Sequence, residues 1–95
     1  MDDLQRDAAW ERLISVVRRT LGQPPGTVLT RETRIVEDLG ADSLDAADLI
    51  IEVEWDFKVV VSDEVAAKWS TLGDVAKWIE ENADLASVLA TKEVL

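Results

Sequence analysis

The stretch EDLGADSLDAADLI, residues Glu37–Ile50, places a helix N-cap signal directly before apolar residues at helical spacing. Serine and aspartate are favoured caps because their side chains accept hydrogen bonds from the first free backbone N–H groups of a helix. The apolar spacing continues as far as Phe57, which is typical of a helix. The sequence therefore predicts a helix over residues 43–57, capped by Asp42 or Ser43.

This helix carries apolar side chains on two sides. Leu49, Val53 and Phe57 recur at four-residue intervals and form one stripe, with Ala46 and Ile50 beside them. A second stripe lies opposite and is flanked by acidic residues. A helix packed on both sides is one explanation, but exposed apolar groups with a charged rim are typical of protein-binding surfaces. We expect the second stripe to be exposed, and it comprises Leu44, Ala47, Ile51 and Trp55.

The rest of the chain predicts three further helices. Apolar spacing predicts one over residues 3–21, and Ser62 is a cap signal for a short helix over residues 63–68. Thr71 and Asp74 form a capping-box pattern before a helix over residues 72–81. We therefore predict an all-α fold, a small bundle of three longer helices and one short one, with a long loop after the first. The predicted core comprises Leu13, Val17, Leu49, Val53, Phe57, Trp69, Val75 and Ile79.

The length of the chain, 95 residues, predicts one domain. We assign residues 1–82 to the helical domain and residues 83–95 to a C-terminal tail. Apolar residues in this tail also recur at helical spacing. Three outcomes are open for it: it extends the fourth helix, forms a short extra helix, or frays.

The negative charge of the chain is concentrated in its middle. The net charge is −10, and residues 37–64 carry ten acidic side chains against one basic one. This field repels nucleic acids and anionic membranes and attracts basic protein surfaces, although a solvated acidic face that aids solubility is the simpler interpretation. The N-terminus is polar, and no apolar run approaches the roughly 20 residues that span a bilayer. We expect a cytoplasmic monomer with no membrane insertion and no nucleic-acid partner.

Ser43 is the residue whose chemistry needs an explanation. A serine nucleophile needs an activating base, and the chain contains no histidine and no cysteine. The nearby acids Asp38, Asp42 and Asp45 do not match a calcium-binding loop, so we predict no metal site. Two interpretations remain: Ser43 caps the helix, or a separate enzyme attaches an anionic group, which a helix N-terminus favours.

The segment EDLGADSLD, residues 37–45, resembles the 4′-phosphopantetheine attachment motif of acyl carrier proteins. The later segment SDEVAAKWSTLGDVAKWIEE stands where that family has its third and fourth helices, and the resemblance covers residues 9–82. It implies a bundle of acyl-carrier type that is not itself an enzyme. A phosphopantetheinyl transferase, working with Mg²⁺, would attach the arm to Ser43, between Asp42 and Leu44. Acyl groups would then travel as thioesters on the terminal thiol of the arm.

The resemblance also implies two surfaces around the helix that follows the serine. One is a docking face for the basic patches of acyl synthases, acyltransferases or ligases. The other is a cleft that holds the acyl chain between the second and third helices. By this resemblance the docking face would use Asp45, Ala47, Asp48, Ile51, Glu52 and Glu54, and the exposed stripe of the helix adds Trp55 to it. The cleft would use Val53, Val61, Ala66 and Trp69.

Some positions depart from the family pattern. Trp55 stands where common fatty-acid carriers have an acidic residue, and Trp69 and Trp78 stand where smaller residues are common. We interpret these departures as signs of a specialised carrier in fatty-acid, lipid or polyketide-type synthesis. The alternatives are an aminoacyl or peptidyl carrier, and a carrier-like acidic interaction module without the arm.

Overall fold

The computed structural model describes residues 3–90, which form five helices and no β-strand. The all-α prediction is confirmed, and the first four helices begin at the predicted residues. The third and fourth end within one residue of their predicted ends. The helices are α1 (Asp3–Leu21), α2 (Ser43–Phe57), α3 (Asp63–Ala67), α4 (Leu72–Asn82) and α5 (Leu85–Ala90).

The helices enclose one apolar core. Seven of the eight predicted core residues are buried; Trp69 is half-buried and packs against the edge of the core. The buried apolar residues that the prediction did not include are Ala9, Val16, Ile35, Ala41, Val61, Leu72, Ala76, Leu85 and Val88.

The helices α3 and α4 begin where the predicted caps place them. Ser62 accepts a hydrogen bond from the Val65 N–H at 3.2 Å, at the start of α3. Thr71 and Asp74 cap α4 reciprocally: the Asp74 N–H donates to the Thr71 hydroxyl at 3.1 Å, and the Asp74 carboxylate accepts from the Thr71 N–H at 3.0 Å. Hydrogen bonds from the backbone N–H groups of Thr71 and Ser70 lower the pKa of Asp74. The charged form of the Asp74 carboxylate therefore stabilises the start of α4.

The long loop between α1 and α2 is fastened to the link between α3 and α4. The Ile35 N–H donates to the Ser70 carbonyl at 2.9 Å, and the Leu72 N–H donates to the Thr33 carbonyl at 2.9 Å. Next to them, the Gly73 N–H donates to the Arg31 carbonyl at 2.8 Å. A Cβ atom at position 73 would lie 2.7 Å from that carbonyl oxygen, so only glycine allows this approach.

The tail forms a short extra helix, one of the three outcomes left open. Ala83 has an extended backbone (φ −88°, ψ 147°) and ends α4, so α5 is separate from it. Leu85 and Val88 of α5 are buried, at 3% and 1% exposure, in the same core as the other helices. Arg12 of α1 pairs with Asp56 of α2 at 2.9 Å and donates to the Val88 carbonyl at 3.4 Å. Residues 91–95 of the predicted tail lie outside the described residues.

We expect Leu85→Ala to lower the free energy of unfolding by about 2–5 kcal/mol, because it removes a buried leucine and leaves a cavity. Ser87→Ala, an exposed change in the same helix, is the matched control and should have little effect. Urea denaturation followed by circular dichroism measures both. Equal midpoints for the parent and Leu85→Ala would show that α5 contributes nothing to the stability of the core.

Candidate functional site

The N-terminus of α2 is capped by Asp42, not by Ser43. The Asp42 carboxylate accepts a hydrogen bond from the Asp45 N–H at 2.9 Å. In return, the Asp45 carboxylate accepts one from the Asp42 N–H at 3.2 Å. This reciprocal pair is a capping box and satisfies backbone donors that the helix start would leave free. The interpretation of Ser43 as the cap is therefore wrong.

Ser43 is the first residue of α2 and is exposed. Within residues 3–90, no group forms a hydrogen bond with its hydroxyl. The hydroxyl stands at the positive end of the helix dipole, where an attached anion is stabilised. The geometry therefore leaves one exposed nucleophilic atom, free of any structural task, at the start of α2.

The backbone before Ser43 is held by a compact turn. Gly40 has a positive φ of 70°. Its N–H donates to the Val36 carbonyl at 2.9 Å. Ala41 is buried and belongs to the core. Ser43 is thus only two residues from an anchor in the interior, so its position relative to the bundle is well determined.

Asp38, which lies within this turn, holds the loop together. Its carboxylate accepts a hydrogen bond from the Arg34 backbone N–H at 2.8 Å and pairs with the Arg34 guanidinium at 3.2 Å. These bonds lower the pKa of Asp38, the backbone bond most strongly. A carboxylate whose pKa is lowered and whose oxygens are occupied is a poor general base, so Asp38 does not activate Ser43.

The second apolar stripe of α2 is exposed, as the sequence predicted. Leu44 is 74% exposed and Trp55 is 79% exposed, and Ala47 and Ile51 are also exposed. On the opposite side, the first stripe is buried in the core. The alternative of a helix packed on both sides is therefore wrong. We call the exposed set of Leu44, Ala47, Ile51 and Trp55 the α2 strip.

Most of the acids beside the α2 strip have partners within the chain. Glu52 pairs with Arg19 of α1 at 3.0 Å. Glu54 accepts a hydrogen bond from the Val61 N–H at 2.8 Å and so fixes the connector after α2. Asp45 belongs to the capping box. Asp48 is exposed and has no hydrogen bond or ion pair with the residues that the structure describes.

A small apolar cavity of about 70 Å³ lies beside the α2 face that carries Ala46. Ala46 follows Ser43 by three residues, so the two lie on the same face of the helix. Two of the four predicted cleft residues, Ala66 and Trp69, line this cavity. Val53, whose side chain is fully buried in the core, does not line it, and neither does Val61. The lining is completed by Ile35, Val36, Leu49 and Ile50, which the cleft prediction did not include.

Residues 3–90 contain no group of three or more potential ligands that could hold a metal ion. None of the described helices has the length and apolar character needed to cross a membrane.

Comparisons with known proteins point to one family. The sequence model described as "Phosphopantetheine attachment site" matches residues 11–79. An acyl carrier protein of Thermotoga maritima is 38% identical over 76 residues, which cover 80% of this chain and 93% of that protein. One of Wolinella succinogenes is 41% identical over 75 residues, which cover 79% and 97%. The solved structure of a candidate acyl carrier protein from Mycobacterium tuberculosis superposes with a TM-score of 0.72 at 30% identity, covering 77% of this chain and 96% of that one.

We expect Asp42→Ala to lower the free energy of unfolding by about 1 kcal/mol, because it removes the side-chain cap of α2. Ser43→Ala is the matched control and should leave stability nearly unchanged, since the hydroxyl has no partner among residues 3–90. Thermal unfolding of the unmodified proteins measures both. If Ser43→Ala is the more destabilising of the two, the assignment of the cap to Asp42 is wrong.

Proposed function

The chain belongs to the acyl carrier protein family, and on that premise we propose that Ser43 holds its 4′-phosphopantetheine arm. The arm supplies a terminal thiol, on which proteins of this family carry acyl groups as thioesters. The observation that carries the proposal is the exposed Ser43 hydroxyl, which has no hydrogen bond within residues 3–90 while Asp42 caps the helix. If Ser43 served only as a helix cap, its hydroxyl would accept a hydrogen bond from a backbone N–H.

The residues around Ser43 fit the group. The phosphodiester would lie at the N-terminus of α2, whose dipole stabilises an anion. Asp42 and Leu44 flank the attachment point, and Leu44 is exposed, so a bulky substituent meets no buried side chain. The chain has no cysteine of its own, so the only thiol available for thioester chemistry is the one on the arm.

Attachment needs an external enzyme. The Ser43 oxygen forms a bond to the phosphorus that carries the pantetheine unit of coenzyme A, and the bond from that phosphorus to the leaving adenosine bisphosphate breaks. The Ser43 proton must go to a base. This chain has no histidine, and Asp38 is occupied by Arg34, so the base and the Mg²⁺ belong to the phosphopantetheinyl transferase. Catalysis is then the task of the partner enzymes, and the chain itself presents the cargo.

The α2 strip supports docking of those enzymes. It places exposed apolar side chains between acidic residues, which is the composition of a protein-binding surface. A depression of about 450 Å³ opens beside it and is lined in part by Asp48, Ile51 and Glu52. Asp48 has no partner among residues 3–90, so it can pair with a basic side chain without breaking an existing contact. We propose that acyl synthases, acyltransferases or ligases with basic patches bind here, with Trp55 as the main apolar anchor.

We expect the protein, incubated with coenzyme A, Mg²⁺ and a broad-specificity phosphopantetheinyl transferase, to gain the mass of one phosphopantetheine. Ser43→Ala should gain none, and Asp42→Ala, which keeps the hydroxyl, should still be modified. Intact mass spectrometry measures all three. A folded parent that stays unmodified with several transferases would instead support an acidic interaction module without the arm, and modification of Ser43→Ala would place the arm elsewhere.

We expect Asp48→Asn to raise the KM of the transferase for the unmodified protein several-fold at low ionic strength, with the difference shrinking as salt is added. Glu81→Gln removes the same charge from the exposed surface of α4 and is the matched control. Steady-state kinetics at two salt concentrations measure this effect. Equal KM values for Asp48→Asn and Glu81→Gln would show that the transferase does not bind at Asp48.

A further inference from the structure

The cavity beside α2 is small. Its volume is about 70 Å³, and its walls are apolar side chains of α2, the α1–α2 loop, α3 and the α3–α4 link. An apolar cavity of about 150 Å³ accepts benzene, which has six carbons, so this volume corresponds to about three carbons. A propyl chain beyond a thioester carbonyl fills it, and a longer chain exceeds it.

Trp69 stands between this cavity and a second space. Its indole lines the cavity, and it also lines an open groove of about 380 Å³ between α3 and α4. The other residues that line the groove are the apolar Val65 and Trp78 and the charged Lys68, Asp74, Lys77 and Glu81. Because Trp69 lines both spaces, a smaller side chain at this position would bring the cavity and the groove into contact.

The indole is held in this position from two sides. Trp78 meets it edge-to-face, with ring centroids 5.8 Å apart and an interplanar angle of 67°, a favourable geometry for aromatic pairs. Both tryptophans are half-buried and pack against the core. The backbone N–H of Trp69 donates to the Ala66 carbonyl at 3.1 Å, which ties the residue to the last turn of α3. Moving the ring therefore loses both the aromatic contact and the core contact.

We propose that Trp69 sets the length of acyl chain that the protein shelters, with a limit at about four carbons. The inference rests on acyl carriage at Ser43. Short acyl groups enter the cavity whole, whereas longer chains leave their distal carbons in water. Trp69 is thus a residue that determines cargo specificity, and a smaller side chain at this position joins the cavity to the α3–α4 groove.

The test uses the full chain loaded with acetyl, butyryl, hexanoyl or octanoyl phosphopantetheine from the corresponding acyl-coenzyme A. Each buried methylene raises the Tm of a domain of this size by about 3–6 °C. In the parent, we expect the Tm to rise from acetyl to butyryl and then to stay level. In Trp69→Leu, the rise should continue to octanoyl. Trp10→Leu removes an equally large half-buried indole, which lies under the Arg31 guanidinium in another part of the protein, and should keep the limit of the parent.

The outcomes separate this proposal from the one on which it rests. Mass spectrometry before each melt establishes loading, and a parent that does not load contradicts attachment at Ser43 itself. A loaded parent whose Tm rises steadily through octanoyl overturns the role of Trp69, as does a folded Trp69→Leu that keeps the butyryl limit. If Trp69→Leu does not fold, Trp69→Phe provides the test. Phenylalanine opens the cavity less than leucine does, so this variant should move the limit only to hexanoyl.

Discussion

The backbone hydrogen bonds that join the α1–α2 loop to the α3–α4 link are the constraint on which the site depends. Ile35 and Thr33 bind Ser70 and Leu72, and these two bonds bring distant parts of the chain side by side. As a result, the loop residues Ile35 and Val36 face Ala66 and Trp69 across the small cavity. The same fastening anchors the turn that leads through Ala41 to Ser43. A loop of this length would otherwise be free to move, and neither the hydroxyl nor the cavity would have a defined place.

The acidic residues of the central segment have different tasks, although they look alike in the sequence. Asp38 and Asp42 fix the loop and the helix start, Glu52 pairs with α1, and Glu54 closes the end of α2. Much of the negative charge, which in the sequence resembles one docking surface, therefore stabilises the fold. Within residues 3–90, the exposed side chains of Asp48, Glu37, Asp63 and Glu64 have no such hydrogen bond or ion pair.

Local signals in the sequence predicted the helices well, because caps and apolar spacing act within a few residues. The capping box of Thr71 and Asp74 and the exposure of Trp55 both follow from such signals. Such local signals do not reveal how the helices and loops pack against one another. Helical spacing in the tail is the same whether α4 continues or breaks at Ala83. The spacing of apolar residues on α2 does not separate Val53, which lies in the core, from Ile50, which lines the cavity. At roughly 100° per residue, positions that face the core and positions that face the cavity lie side by side on the helix. The partners of Glu52 and Glu54 lie in other elements, so no local pattern identifies them.

The four tryptophans of this protein stand in different surroundings, so their fluorescence can report separately on the α2 strip and on the cavity. Trp55 is almost fully in water, whereas Trp10, Trp69 and Trp78 are half-buried against the core. If a partner covers the α2 strip, as proposed, the fluorescence of Trp55 should change, and if an acyl group enters the cavity, the fluorescence of Trp69 should change. Since the chain has no tyrosine, its near-ultraviolet emission comes from these indoles. Single-tryptophan versions of the chain would therefore follow docking and cargo separately, without an added label.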